Sequence, residues 1–258
     1  MIRLISPFIK NQLDILLTYR EFLKNQIDKL PNNIRSLNCL NNSYNQPSKE
    51  LLEWEFRNRN LQNIFFEKFD ITQILKGGVD NYIQNLFSEP IMISQQVYLR
   101  IETPCGKRKI FMPHKDYIGI PSCTLWIPLV DITVQTGGIC LDNSNININC
   151  PGSLLVDNNN YETIELFQPY LPFGKCIIFS PQLLHSGTTS MSNVRLSIDL
   201  RFSPKSKALD YNKMLLGKTY RINPRNYYEA INFSTLDSFR LDQKEHLKLN
   251  QDFKLNTS

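Results

Sequence analysis

Two histidines and one aspartate have the residue types and the order needed to hold a divalent metal. In Phe111-Met112-Pro113-His114-Lys115-Asp116-Tyr117 the imidazole and the carboxylate stand two residues apart. An extended backbone puts such a pair on one face. His185 follows 69 residues after Asp116, in Phe179-Ser180-Pro181-Gln182-Leu183-Leu184-His185-Ser186-Gly187. Two neutral imidazoles and one carboxylate fill one face of an octahedral Fe(II) and leave the opposite positions open. An isolated His-x-Asp pair is weak evidence, and by itself it favours a loop histidine beside an exposed aspartate. The remaining histidine, His246, stands in the charged stretch Gln243-Lys244-Glu245-His246-Leu247-Lys248 and is expected to be solvated surface.

Ten residues beyond His185, Arg195 opens the run Arg195-Leu196-Ser197-Ile198-Asp199-Leu200-Arg201-Phe202. As a strand, it shows Leu196, Ile198, Leu200 and Phe202 on one face and Arg195, Ser197, Asp199 and Arg201 on the other. A barrel whose outer face packs on helices turns the polar row inward; an ordinary amphipathic strand turns it to water. An inward guanidinium can grip a carboxylate bidentately, with the Ser197 hydroxyl as a third donor. The dicarboxylate 2-oxoglutarate would chelate iron through its keto-acid end and place its far carboxylate on Arg195.

With these residues in this order, the chain resembles the Fe(II)/2-oxoglutarate-dependent dioxygenases, and within them the phytanoyl-CoA dioxygenase-like group. The resemblance rests on His114-x-Asp116, His185 and Arg195, and extends to Trp126-Ile127-Pro128-Leu129-Val130-Asp131 followed by Thr136-Gly137-Gly138. Trp126-Ile127-Pro128-Leu129 is similar to the branch that includes natural-product enzymes. The resemblance spans roughly residues 90–203. It implies a double-stranded β-helix (a cupin-like jelly roll), with Fe(II) on His114, Asp116 and His185 and 2-oxoglutarate as cosubstrate. O2 and a small-molecule substrate then complete the reaction, a hydroxylation releasing succinate and CO2. Related halogenases replace the carboxylate ligand with a small residue, whereas Asp116 is retained here. Many relatives carry Pro-Gly-Ser-His in mid-barrel, whereas here Pro151-Gly152-Ser153 is followed by Leu154. That histidine is not a metal ligand in the family, so the change bears on substrate handling.

Strand parity nominates further pocket residues. Gln96, Tyr98 and Arg100 share one face, on a strand that lines the pocket in the family. Tyr98 is a candidate contact for 2-oxoglutarate, and Arg100 for a negatively charged group of the substrate or for a structural salt bridge. Thr124 and Trp126 alternate with Cys123, Leu125 and Ile127; Thr124 could hydrogen-bond the cosubstrate, and Trp126 wall the site or fill the core. Arg201, on the polar row, is a further substrate candidate, and Phe111 is expected to support the metal strand by packing.

The elements that must position these groups change character along the chain. Leu13, Leu16, Leu17, Tyr19, Phe22, Leu23 and Ile27 recur at helical spacing up to Pro31. Residues 32–47 read as a loop, and Ser48 as the cap of a helix carrying Leu51, Leu52, Trp54 and Phe56. Helical stretches over 60–69 and 71–87 follow, with a break at Gly77-Gly78. From about residue 91 alternation replaces helical spacing, and strands are predicted over 96–102, 107–114, 122–130, 137–141, 153–156, 161–168, 174–180 and 193–202. The expected fold is mainly β with flanking helices, in one domain over 1–258: a helical part (1–90), a jelly-roll core (91–203) and a helical extension (204–258). Segments 32–47 and 204–230 are candidate lids.

Composition excludes other classes. With ten glycines the chain has neither Gly-x-Gly-x-x-Gly nor a complete phosphate loop, since Asn212 stands where the glycine preceding Gly217-Lys218-Thr219 would be. Its six cysteines never come within a Cys-x-x-Cys spacing, and Gly-x-Ser-x-Gly is absent. Lys10, Asn11, Gln12 and Asp14 interrupt any signal-like apolar stretch, and no run is long enough to span a membrane. The expectation is a cytoplasmic protein with reduced thiols. Its basic residues are scattered rather than striped, so nucleic acid is not an expected partner. Two rivals use the same residues: a cupin-type metal enzyme without 2-oxoglutarate, and a non-catalytic binding protein that keeps the fold.

Overall fold

The computed structural model describes residues 2–30, 49–94, 97–104, 113–116, 122–142, 153–158, 161–216 and 233–239. Helix α1 (Lys10–Ile27) presents Leu16, Tyr19, Leu23 and Ile27 as a buried stripe at the spacing the sequence predicts. Helix α2 (Lys49–Lys68) is one continuous element where two were expected. Gln12 fastens α1 to the turn that follows α2, its amide donating to the Lys76 carbonyl at 2.9 Å. Gly77 takes φ +86°, a left-handed conformation that breaks the chain between a 3-10 turn (Ile71–Ile74) and helix α3 (Val79–Phe87).

Two antiparallel sheets follow. The larger joins β1 (Ile2–Ile5), β8 (Cys176–Phe179), β4 (Cys123–Pro128), β10 (Arg195–Pro204), β2 (Ile91–Ser94) and β11 (Phe233–Ser234) in that order, with β3 (Tyr98–Glu102) also paired to β10. The smaller has the order β6 (Ser153–Asn158), β7 (Tyr161–Phe167), β5 (Ile139–Asp142), β9 (His185–Gly187). β10 is the hub. Its residues Ser197–Asp199 pair with β3 along one edge and with β4 along the other.

The alternation expected of β10 is what the core uses. Leu196, Ile198, Leu200 and Phe202 are fully buried with Leu125 and Ile127 of β4, Leu99 of β3 and the apolar stripe of α1. The opposite face of the larger sheet meets the smaller one: Trp126, Ile177 and Phe179 cluster with Ile139, Leu141 and Phe167. Helices therefore cover one face of the larger sheet and the smaller sheet covers the other, so polar residues of β10 opposite its core side point between the sheets.

The sequence reading departs from this arrangement in a few places. β1 lies in a segment expected to be helical; four residues carry no readable period, and the strand is formed by pairing with β8 from Ile2↔Phe179 to Ile5↔Cys176. β2 is separate from β3. β9 was not anticipated, since His185-Ser186-Gly187 has no strand propensity of its own and exists by pairing with β5. In the expected helical extension, α4 (Lys205–Leu216) is present, and Ala208 packs on Met92 and Phe233. The expected strand 107–114 lies outside the described residues up to 112, as do loop 32–47, Gln96, Phe111, Pro151, Gly152, segment 217–230 and His246. Cys123, Cys140 and Cys176 are buried free thiols, and burial pushes that of Cys123 up to about 12. No helix among the described residues is long and apolar enough to cross a membrane.

Candidate metal centre

One backbone ladder brings the two histidines together. His114 N–H donates to the His185 carbonyl at 2.9 Å and His185 N–H donates to the His114 carbonyl at 2.9 Å, an antiparallel bridge that sets the two residues opposite each other. Their rings lie 4.5 Å apart between centroids, and the Phe179 ring backs His185 at 5.0 Å. Asp116 enters from the same short segment as His114. Its Oδ1 is 3.9 Å from Nε2 of His114 and 3.9 Å from Nε2 of His185. All three donor atoms lie within 4.8 Å of one another, close enough to hold one metal ion, and no other such group occurs among the described residues. Ligands about 2.1 Å from a metal and at right angles to each other are about 3 Å apart, so these donors stand slightly wider than a closed shell.

The protonation states suit a cation. Nδ1 of His185 lies 2.9 Å from the Leu183 carbonyl, which can only accept, so Nδ1 carries the proton and Nε2 offers its lone pair. Burial holds the His185 pKa below the ordinary histidine value, against the pull of Leu183 and Asp116, and keeps the ring neutral. For Asp116, burial pushes upward, but Arg201, His185 and His114 outweigh it and hold the carboxyl below its usual range.

The polar row of β10 continues from this cluster. Arg201 Nη2 donates to Asp116 Oδ2 at 3.0 Å, and its guanidinium lies 5.3 Å from the Tyr98 ring. Asp199 accepts from Arg100 Nε at 2.7 Å, the salt bridge foreseen as the alternative role for Arg100. Arg195 is buried at the far end. Its Nη1 donates to the carbonyls of Gly138 (3.0 Å) and Thr188 (2.6 Å), and Nη2 lies 3.5 Å from Glu102 Oε2. Gly138 and Thr188 are locked to each other in turn, with Gly138 N–H donating to Thr188 Oγ1 and Thr188 N–H to the Gly138 carbonyl, both at 2.8 Å.

Register decides which candidates meet. Arg195 and Arg201 are six residues apart, about 20 Å along an extended strand. Thr124 faces Arg201 across the β4–β10 pair, and Arg100 faces Ser197 across the β3–β10 pair. Thr124 and Tyr98 thus sit toward the metal end, while Ser197 stays nearer Arg195. Trp126 belongs to the core between the sheets. Thr124 Oγ1, Ser197 Oγ, Arg195 Nε, Arg201 Nε and Asp199 Oδ1 are buried without a hydrogen-bond partner. Buried polar atoms are ordinarily paired, so this row of orphans is shaped for a polar ligand.

Sequence reasoning missed Glu102, although it shares the parity of Tyr98 and Arg100. It also missed the Gly138 and Thr188 carbonyls, for which side-chain identity carries no signal.

No protein-family model and no curated protein matches the chain. Solved structures do show similarity. AviO1 from Streptomyces viridochromogenes Tue57 is similar at 13% identity and a TM-score of 0.48, over 80% of this chain and 90% of that one. HygX from Streptomyces hygroscopicus, with nickel and 2-oxoglutarate bound, gives 10% identity and a TM-score of 0.46, over 93% and 94%. The epimerase SnoN, in complex with Fe3+, α-ketoglutarate and nogalamycin RO, gives 13% identity and a TM-score of 0.42, over 90% and 93%. The neighbours include non-haem iron, 2-oxoglutarate enzymes. These likenesses are loose, and the chemistry of this chain rests on its own residues.

Proposed function

We propose that the chain is an Fe(II)- and 2-oxoglutarate-dependent oxygenase that uses O2 to hydroxylate an unactivated C–H bond of a small molecule. The observation that carries this reading is the convergence of two imidazoles and one carboxylate, with no fourth protein ligand joining them among the described residues. That donor set suits Fe(II) and leaves one face of the ion free. When bound, the iron would let O2 act as the oxidant, with one oxygen atom going to 2-oxoglutarate as it is oxidised to succinate and CO2 and the other going to the substrate.

The residues of the chain supply position. His114, Asp116 and His185 would hold the ion, with Leu183 fixing the His185 tautomer. Arg195 would receive the far carboxylate of 2-oxoglutarate: its Nε is unpartnered and its Nη2 is held only by the 3.5 Å contact to Glu102. The Ser197 hydroxyl is the available second donor nearby. Thr124, beside the metal end, is free to bond the keto-acid end or the substrate, and the Trp126 indole keeps that side dry. Gathering these groups between two sheets is consistent with the double-stranded β-helix of the phytanoyl-CoA dioxygenase-like group; of the stretches similar to that group, Trp126-Ile127-Pro128 ends β4 with Leu129 just beyond it, and Thr136-Gly137-Gly138 lies in the turn into β5.

The Arg195–Glu102 contact favours one second reading, a cupin-type metal enzyme in which Arg195 already has its carboxylate and 2-oxoglutarate is not used. Anaerobic addition of Fe(II) and then 2-oxoglutarate separates the two. The oxygenase reading expects the weak visible charge-transfer band of the chelate in wild-type protein and its loss, or a requirement for far more 2-oxoglutarate, in Arg195→Ala. Metal-loaded, folded wild-type protein without the band leaves the second reading standing.

A further inference from the structure

The two oxygens of Asp116 have different neighbours. Oδ1 is the atom 3.9 Å from both histidine Nε2 atoms, while Oδ2 takes the hydrogen bond from Arg201 Nη2 at 3.0 Å. We propose that Arg201 is a positioning residue that restricts Asp116 to one-oxygen coordination and thereby keeps three metal positions open. The proposal rests on the metal reading above and extends it to a residue that does not itself touch the ion.

Counting positions shows why this matters. A carboxylate free to turn can bind a metal through both oxygens. With two histidines, that would use four of six octahedral positions, and an oxo acid chelating through two atoms would fill the rest. O2 would then have nowhere to bind. An oxygen already committed to a guanidinium is withheld from the ion, because the charge-assisted bond must be broken first, and here it is broken in a largely buried setting. The side chains of Arg201 and Asp116 are only 13% and 17% exposed, so water is a poor substitute partner.

Arg201 is itself held firmly enough to act this way. It sits between Leu200 and Phe202, both fully buried, on the strand at the centre of the larger sheet, with its backbone opposite Thr124 of β4. The Tyr98 ring lies 5.3 Å from its guanidinium. A surface arginine would swing away; this one has its backbone paired to β4 and its charge tied to Asp116.

An ion pair serving only to neutralise a buried aspartate would show the same contact, so the test must count metal positions. Mn(II) added alone to the full chain serves as the probe, and the proton relaxation of solvent water reports how many waters the bound ion carries. Wild-type protein is expected to show three waters on Mn(II), and Arg201→Gln two, with at least tenfold weaker 2-oxoglutarate binding to the Mn(II) form. Arg201→Lys, which keeps a cationic donor, should return the count toward three. Three waters in both wild type and a folded Arg201→Gln would overturn the proposal, leaving Arg201 as a neutralising partner. Two waters in wild type would also overturn it, even if neither variant folds. Failure of folded wild-type protein to bind Mn(II) at all would strike the metal reading itself, and the role of Arg201 with it.

Discussion

At His185, one hydrogen bond from Nδ1 to the Leu183 carbonyl dictates which nitrogen can meet a metal, and burial dictates its charge. The sign of the resulting pH dependence follows. A histidine whose folded pKa is depressed stabilises the fold above its unfolded value of 6.5, and that contribution is lost as pH falls through the depressed value. Urea midpoints of metal-free protein between pH 7.5 and 5.5 should fall with acidification, with a slope no steeper than about 1.4 kcal/mol per pH unit for this one group. His185→Asn should flatten the profile, and an unchanged slope would remove His185 as its cause. Ser197 gives the opposite kind of residue-scale test. Its buried hydroxyl has no partner in the protein, so Ser197→Ala should leave the denaturation midpoint of the ligand-free protein within about 0.5 kcal/mol of wild type. The same change should weaken 2-oxoglutarate binding by roughly threefold to tenfold, the worth of one hydrogen bond. Unchanged binding by titration calorimetry would take Ser197 out of the ligand's path.

Strand β10 shows how one element serves two ends. Its odd-numbered residues from Arg195 to Arg201 carry the polar row, and its even-numbered residues from Leu196 to Phe202 anchor the sheet to the helices. The strand was legible because the period-2 pattern is unbroken over eight residues and one face is fully apolar. Leu200→Ala should cost about 2–5 kcal/mol in chemical denaturation, since the side chain is fully buried and its backbone is paired with Leu125 of β4. A cost below about 1 kcal/mol would mean the core collapses around the gap. The turn into β5 is equally demanding. Gly137 has φ +64° and an added Cβ would come 2.4 Å from the Thr189 carbonyl, beside the Gly138 and Thr188 carbonyls that hold Arg195. What could not be read was β9, where three residues without strand propensity are ordered only by β5 and by the backbone bridge to His114. Nor could β1, which is too short for any period to show.

For the whole molecule, the site is a property of two sheets and two distant segments closing on each other, so ligands for it should stabilise the entire fold. A ligand at a hundredfold its dissociation constant adds about 2.7 kcal/mol to unfolding if it binds only the folded state. Thermal melts with Fe(II) or Mn(II), and then with 2-oxoglutarate, should therefore rise in two increments, and Asp116→Ala should lose both. A melt indifferent to metal in wild-type protein would count against a site built by the native fold. The helices contribute to this indirectly: the apolar stripe of α1 joins the core that the apolar face of β10 enters, and the polar face of β10 is left toward the smaller sheet.

The types and order of His114, Asp116, His185 and Arg195, and the two-faced pattern of β10, were determined by the sequence alone, because residue chemistry and period-2 alternation are local properties. Only the tertiary structure decided who meets whom. It gave Arg201 to Asp116 and Arg100 to Asp199, set Glu102 against Arg195, and separated Thr124 from Ser197 along the sheet. Those outcomes depend on strand register, and register is fixed by the packing of residues far apart in the chain: a shift of one position would turn every side chain to the other face.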